Sequence, residues 1–255
     1  MDNAQQLPYS TSAGLGQTAK IGLIVLQTDQ TIEDEFRQML AIDGVACYHS
    51  RIANAMQVTP QTLAQMQADL PIAASLLPKA FEFNAIGYGC TSGATIIGEE
   101  QVAQLILAEH PNAKVSNPLS ACKAACAVLH LNKIALLTPY TPQVTQALSD
   151  NLCASGIVIS HTGYFDIEDD FEVGRVDSTS IFDAIIALGS HNDCDGVFVS
   201  CTSLRVANVI LKAEQYLGKP VISSNQALAW HLLRLSGVNK NLTQFGCLFS
   251  KYLPS

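Results

Sequence analysis

The chain has 255 residues, 48% of them hydrophobic and 14% charged, with a formal net charge of −8. That composition describes a compact globular protein, long enough for one large domain or two small ones. The acidic balance argues against nucleic acid or an anionic membrane surface as the main partner, and no apolar run reaches the roughly 18 residues of a membrane-crossing helix.

Residues 1–19 have neither a basic start nor an apolar run, so they are not a secretory signal. They are expected as a loose tail, or as an arm against a partner subunit. Without an export signal, the eight cysteines are expected as free thiols in a cytoplasmic compartment. None has Cys-x-x-Cys spacing or a zinc pattern, and Cys122 and Cys126 read as small buried residues on a helix.

Two copies of one unit follow. Lys20 opens an apolar strand, a polar loop and an amphipathic helix in KIGLIVLQTDQTIEDEFRQML. Lys133 opens the same order in KIALLTPYTPQVTQALSDNL. Gly44 and Gly156 each start the next strand. In the first copy Thr59 and Pro60 make an N-cap and first-turn pair, and Leu63, Met66, Leu70, Ala73, Ala74 and Leu77 form a helical stripe. Ser180 to Leu188 carries the comparable stripe. Each copy then reaches a strand ending in Cys-Thr-Ser, at Cys90 and Cys201, about 70 positions after its opening lysine. A further strand follows in AKVSNP and in KPVISSN.

Alternating strands and helices imply parallel sheets with right-handed crossovers. The expected fold is α/β, with two pseudo-twofold-related lobes, each a parallel sheet flanked by helices. The repeat divides the chain into a tail (1–19), a first lobe (20–118) and a second lobe (119–221). Ligands bind beyond the carboxyl ends of such strands and in clefts between lobes, so Cys90 and Cys201 are expected on opposite walls of one cleft.

A thiol at a strand end, just before a helix, meets free N–H groups and the positive end of a helix dipole, which favour thiolate. The same donors, with the hydroxyls of Thr91, Ser92, Thr202 and Ser203, can hold a carboxylate. Two opposed thiols can move a proton from one face of a carbon to the other. Alternatively, one can add to an alkene so that the adduct rotates before elimination.

At these residues the chain resembles the aspartate/glutamate/hydantoin racemase superfamily, in its maleate cis-trans isomerase and arylmalonate decarboxylase branch. The resemblance rests on GYGCTSGATIIG, LLTPYTPQV, FVSCTSL and SSNQALAW, and extends from Lys20 to Val238. It implies catalytic Cys90 and Cys201, no metal, no organic cofactor, and a homo-oligomer, a dimer or a tetramer. It implies that a C-terminal segment, 222–255, packs on the first lobe. Cys90 corresponds to the cysteine that adds to the alkene, Cys201 to the proton carrier, Tyr140 to a substrate-contacting tyrosine, and Thr91, Ser92, Thr202 and Ser203 to carboxylate-holding positions. Decarboxylases of the branch keep only the second cysteine, so Cys90 points to an isomerase.

Two substrate-facing asparagines of the maleate isomerases correspond to Asp29 and Asp170. An ionised Asp only accepts hydrogen bonds, so a substrate with a positive group fits better than a dicarboxylate. The alternative for Asp29 is a helix cap. Arg51, beside His49 and Ser50, can hold a carboxylate or pair with an acidic side chain, and His161 and His231 are expected to be structural. The run Asp166, Glu168, Asp169, Asp170 and Glu172 lacks calcium-loop spacing and is expected mainly as a solvated loop over the cleft. Three functions follow from these features: a two-cysteine isomerase or racemase of a small carboxylate, a lyase or decarboxylase on the same site, or a two-lobed binding protein.

Overall fold

The computed structural model describes residues 4–253. Residues 1–3 of the expected tail lie outside that range. From residue 4 to Thr18 the chain has no helix or strand, and Leu7, Tyr9 and Leu15 are exposed. The first strand begins at Ala19, one residue before the expected lobe boundary.

The first half runs β1 (Ala19–Leu26), α1 (Ile32–Met39), β2 (Val45–Ile52), α2 (Pro60–Ser75), β3 (Ala85–Gly89), α3 (Thr91–Ile97), α4 (Glu99–Leu107), β4 (Lys114–Ser116) and α5 (Pro118–Leu129). The second runs β5 (Lys133–Thr138), α6 (Pro142–Ala154), β6 (Val158–Tyr164), α7 (Asp170–Val173), α8 (Ser178–Gly189), β7 (Gly196–Val199), α9 (Ala207–Leu217), β8 (Val221–Ser223) and α10 (Ser224–Leu235). The strands form two four-stranded sheets ordered β2-β1-β3-β4 and β6-β5-β7-β8, parallel throughout. The matching order is the duplication expressed in three dimensions.

Local chemistry explains the elements. The central strands β1 and β5 are continuous apolar runs because helices cover both faces of a parallel sheet. Thr59 and Thr62 form a reciprocal capping box at the start of α2, with Pro60 in the first turn, and all six residues of the stripe are buried. Gly44 and Gly156, at the turns before β2 and β6, hold φ of +79° and +91°, where a β-carbon would be strained.

The last helix ties the halves together. Ser223 and Gln226 cap α10 at the end of the second sheet, yet α10 packs on α5, α1 and β3. Nearly every one of its side chains is buried. Beyond it, Arg234 donates to the carbonyls of Val238, Lys240, Phe249 and Lys251, which pins the C-terminal turns.

Candidate active site

Both Cys-Thr-Ser segments lie at carboxyl ends of central strands. Cys90 follows β3 and is the N-cap residue of α3, where its Sγ accepts the Gly93 N–H at 3.2 Å. The Ser92 hydroxyl lies 3.7 Å from the same sulfur. Cys201 follows β7, and its Sγ accepts the Ser203 N–H at 3.4 Å. Here the copies diverge. No helix follows Cys201 directly; α9 starts only at Ala207, and Cys201 has φ of +114°, an uncommon conformation for a non-glycine residue. The expectation of a helix immediately after each thiol therefore holds for Cys90 alone.

The two thiols line one largely enclosed cavity of about 380 Å³. Thr91, Ser92, Tyr140, Asp170 and Thr202 share its wall, with Leu26, Val58, Leu63 and Met66 as the apolar side. The backbone N–H groups of Thr91, Ser92 and Thr202 find no acceptor among the described residues.

Hydrogen bonds between the halves fix this geometry. The Thr202 hydroxyl donates to the Gly89 carbonyl at 3.2 Å, bringing the second segment to the end of β3. Ser224, first residue of α10, accepts the Cys201 N–H at 3.0 Å and shares a 2.8 Å hydrogen bond with the Thr91 hydroxyl. One side chain thus touches both copies of the motif.

The two aspartates occupy different places. Asp170 is buried on the cavity wall, accepting the Thr28 hydroxyl at 2.5 Å on Oδ2 and the Ser203 hydroxyl at 2.8 Å on Oδ1. The expectation of a mainly solvated acidic loop fails at this residue. Its backbone joins a clasp, in which Val58 N–H donates to the Glu168 carbonyl and Asp170 N–H to the Met56 carbonyl. Asp29 caps α1: Oδ1 accepts the N–H groups of Thr31 and Ile32 at 2.7 and 2.8 Å. It is buried behind the cavity wall, and its Oδ2 has no partner. Ser203 also stands behind the wall, supporting Asp170 and Cys201.

Electrostatics corrects the expected activation of the thiols. Burial pushes the Cys90 thiol up to about 11, outweighing the Gly93 N–H and Ser92 hydroxyl that favour thiolate. Burial raises Cys201 further, with the Asp170 charge adding to it. Desolvation outruns the donors because each sulfur receives a single backbone N–H. Burial also raises Tyr140, whose ionisation charges on Cys201 and Cys90 would oppose, and it raises both aspartates.

The family model of arylmalonate decarboxylase matches residues 99–249, more than half of the chain. The chain belongs to the arylmalonate decarboxylase family. This family member is 25% identical over 244 residues to the maleate isomerase of Geobacillus stearothermophilus, covering 91% of this chain and 97% of that one. It is 25% identical over 252 residues to the maleate isomerase of Alcaligenes faecalis, covering 93% and 99%. Its fold matches a solved variant of the Nocardia farcinica maleate cis-trans isomerase bearing a covalently bound succinylcysteine intermediate. That match has a TM-score of 0.84 at 23% identity, over 91% of this chain and 98% of that one.

Several site residues of this family member escaped sequence reasoning. Thr28 and Asn54 brace Asp170, and Ser224 bridges the motifs. Glu35 is buried on α1, accepting the Val206 and Ala207 N–H groups on Oε1 at 2.8 Å each and Asn225 Nδ2 on Oε2 at 2.8 Å. Its position one turn after Ile32 and next to Phe36, both buried, was the available signal. Arg51 holds the carbonyls of Leu26, Gln27 and Asp29 and pairs with Glu33, so it serves the loop after β1 rather than the cavity.

His161, His191 and Asp193 place potential metal-ligand atoms near one another. The imidazoles stack at 3.7 Å and 9°, so their in-plane lone pairs do not converge on one ion, and Lys133 holds Asp193.

Gly93 shows how tightly the first thiol is framed. A β-carbon there would lie 2.5 Å from the Tyr88 hydroxyl, 2.9 Å from Cys90 Sγ and 3.0 Å from Met66 Cε. Gly93→Ala is expected to cost about 1–3 kcal/mol of stability by overpacking and to displace the sulfur. Thermal unfolding and kcat/KM, measured together, should both fall, the latter at least about tenfold because reacting groups tolerate little misplacement.

Proposed function

We propose that this protein is an isomerase of a small carboxylate that needs no cofactor and uses Cys90 and Cys201 as its reacting groups. The observation that carries the reading is the presence of both repeated thiols on the wall of one enclosed cavity. The isomerase names of relatives aligned over nearly the whole chain support it.

The chemistry follows from the inequality of the thiols. Cys90 is the less raised of the two, so it is the more accessible thiolate, while Cys201 stays protonated. The Cys90 thiolate, its proton lost to solvent, forms a C–S bond to one alkene carbon. The displaced π pair moves to the neighbouring carbon and delocalises into the attached carboxylate. Cys201 supplies a proton there; the resulting single bond rotates; Cys201 removes the proton again, and the C–S bond breaks to leave the trans alkene. The free N–H groups of Thr91, Ser92 and Thr202, with the Ser92 hydroxyl, hold the carboxylate as its charge builds. Tyr140, kept neutral by burial, borders the reacting carbons. A saturated chiral acid in the same place would be racemised by proton exchange between the two sulfurs.

The eight free cysteines favour a reducing, cytoplasmic setting. The exposed Leu7, Tyr9 and Leu15 favour a homo-oligomer in which the N-terminal arm meets a partner. Proton NMR in deuterated buffer tests the chemistry. Incubation with cis-butenedioate or its monoamide should give the trans isomer, and a racemase would instead exchange the α-hydrogen of a chiral amino acid. Loss of carbon dioxide from an arylmalonate, without isomerisation of either alkene, would replace this reading with a decarboxylase.

A further inference from the structure

We propose that Asp170 selects a substrate carrying one carboxylate and, at its other end, N–H donors, a carboxamide or an ammonium, over a dicarboxylate. The inference rests on the isomerase reading and names the substrate class of that site.

Asp170 is the charged side chain on the cavity wall, and no Lys, Arg or His stands there with it. Each of its oxygens has one O–H donor, from Thr28 or Ser203, and a carboxylate oxygen accepts about two. The remaining capacity faces the cavity and calls for a donor. The neighbouring amide cannot serve a second carboxylate. Asn54 Nδ2 is spent on the Thr28 hydroxyl and the Ala55 carbonyl, and its Oδ1 on the Thr28 N–H. The other amide on the wall, Gln57, is exposed.

Charge points the same way. Asp29 stands behind the wall with an unpartnered buried oxygen, and its charge and that of Asp170 add. During turnover Cys90 becomes anionic as well. A dicarboxylate would bring a further uncompensated charge into this enclosure, where the low dielectric strengthens repulsion. An ammonium would form an ion pair with Asp170, and a carboxamide would fill its open acceptor sites without adding charge. Protonation of Asp170 would admit a second carboxylate, and Asp170→Asn makes that neutral, donor-bearing state permanent.

Calorimetry with three saturated ligands tests the inference: succinate, its monoamide succinamate, and 4-aminobutyrate. Wild type should bind succinamate or 4-aminobutyrate at least tenfold more tightly than succinate, and which of the two binds better separates amide from ammonium. Asp170→Asn should gain at least tenfold for succinate and reverse the order. The wild-type ratio stands as a test even if the variant fails to fold. Tighter succinate binding by wild type, an unchanged ratio in Asp170→Asn, or no binding of all three overturns the proposal. NMR turnover of maleate and its monoamide separates this from the parent reading. Cysteine-dependent isomerisation that favours maleate would sink the selectivity and leave the isomerase. Donor-ended preference without cysteine-dependent turnover of either alkene would do the reverse.

Discussion

Cys90→Ala and Cys201→Ala should each lower isomerisation by about 10³-fold or more, the range expected when a nucleophile or a positioned proton carrier is removed. The two losses should differ in kind. Without Cys90 no adduct can form, so intact-mass spectrometry should show unmodified protein. Without Cys201 the Cys90 thiolate can still add to the alkene, but its partner for moving the proton is gone. A covalent adduct on Cys90 should then accumulate and appear in the mass spectrum. Cys122→Ser is the control, since Cys122 is buried on α5 and lies off the cavity wall. It should cost stability and leave turnover per folded molecule intact. Equal activity in wild type and Cys201→Ala would remove the two-thiol mechanism.

Glu35 should give the protein a distinctive stability profile. Burial pushes its carboxyl up to about 7 from an ordinary value of 4.5, against the opposing pull of three N–H donors. In the unfolded chain the group ionises near 4.5, while in the folded protein it keeps its proton until near 7. Between those values the folded state binds the extra proton, so stability is greatest below the unfolded value and falls as pH rises. The loss from Glu35 alone is about 3 kcal/mol by proton linkage and levels off above pH 7. Asp29 and Asp170, both raised, slope the same way, so the difference between wild type and Glu35→Gln isolates Glu35. Denaturant unfolding from pH 4.5 to 8 should show a shallower decline in Glu35→Gln. Glu35→Ala is more severe, because it strands the N–H groups of Val206 and Ala207 and the Asn225 amide. At about 1–3 kcal/mol for each buried donor left unpaired, the Tm should drop by about 10 °C or more.

Much of this arrangement was legible in the sequence where its cause is local or repeated. The apolar runs of β1 and β5, the Thr59–Pro60 start of α2 and the matched Gly44 and Gly156 turns are short-range events. Duplication made the cysteines readable, since a packing residue and a reacting residue look alike singly and differ when paired. What stayed hidden depends on contacts across the whole chain. Asp170 sits in an acidic run that looks solvated, and its burial comes from Thr28 and Ser203. Glu35 sits among Glu33 and Asp34, with its partners more than 170 positions away. The left-handed backbone of Cys201 has no glycine to announce it. Asp29 presented a cap and a ligand at once; one oxygen caps α1, and the other is left without a partner.

The clasp between residues 56–58 and 168–170 lies directly over the reacting groups, with Ala55, Gln57, Val58 and Asp170 themselves on the cavity wall. A ligand enters or leaves by parting two backbone hydrogen bonds that belong to the protein rather than to the ligand. Residence time and affinity are thereby governed by different atoms. Tightening the clasp equally in the free and occupied protein would slow arrival and departure together and leave the dissociation constant where it was. Turnover could then be limited by traffic through the roof even when bond making beneath it is fast.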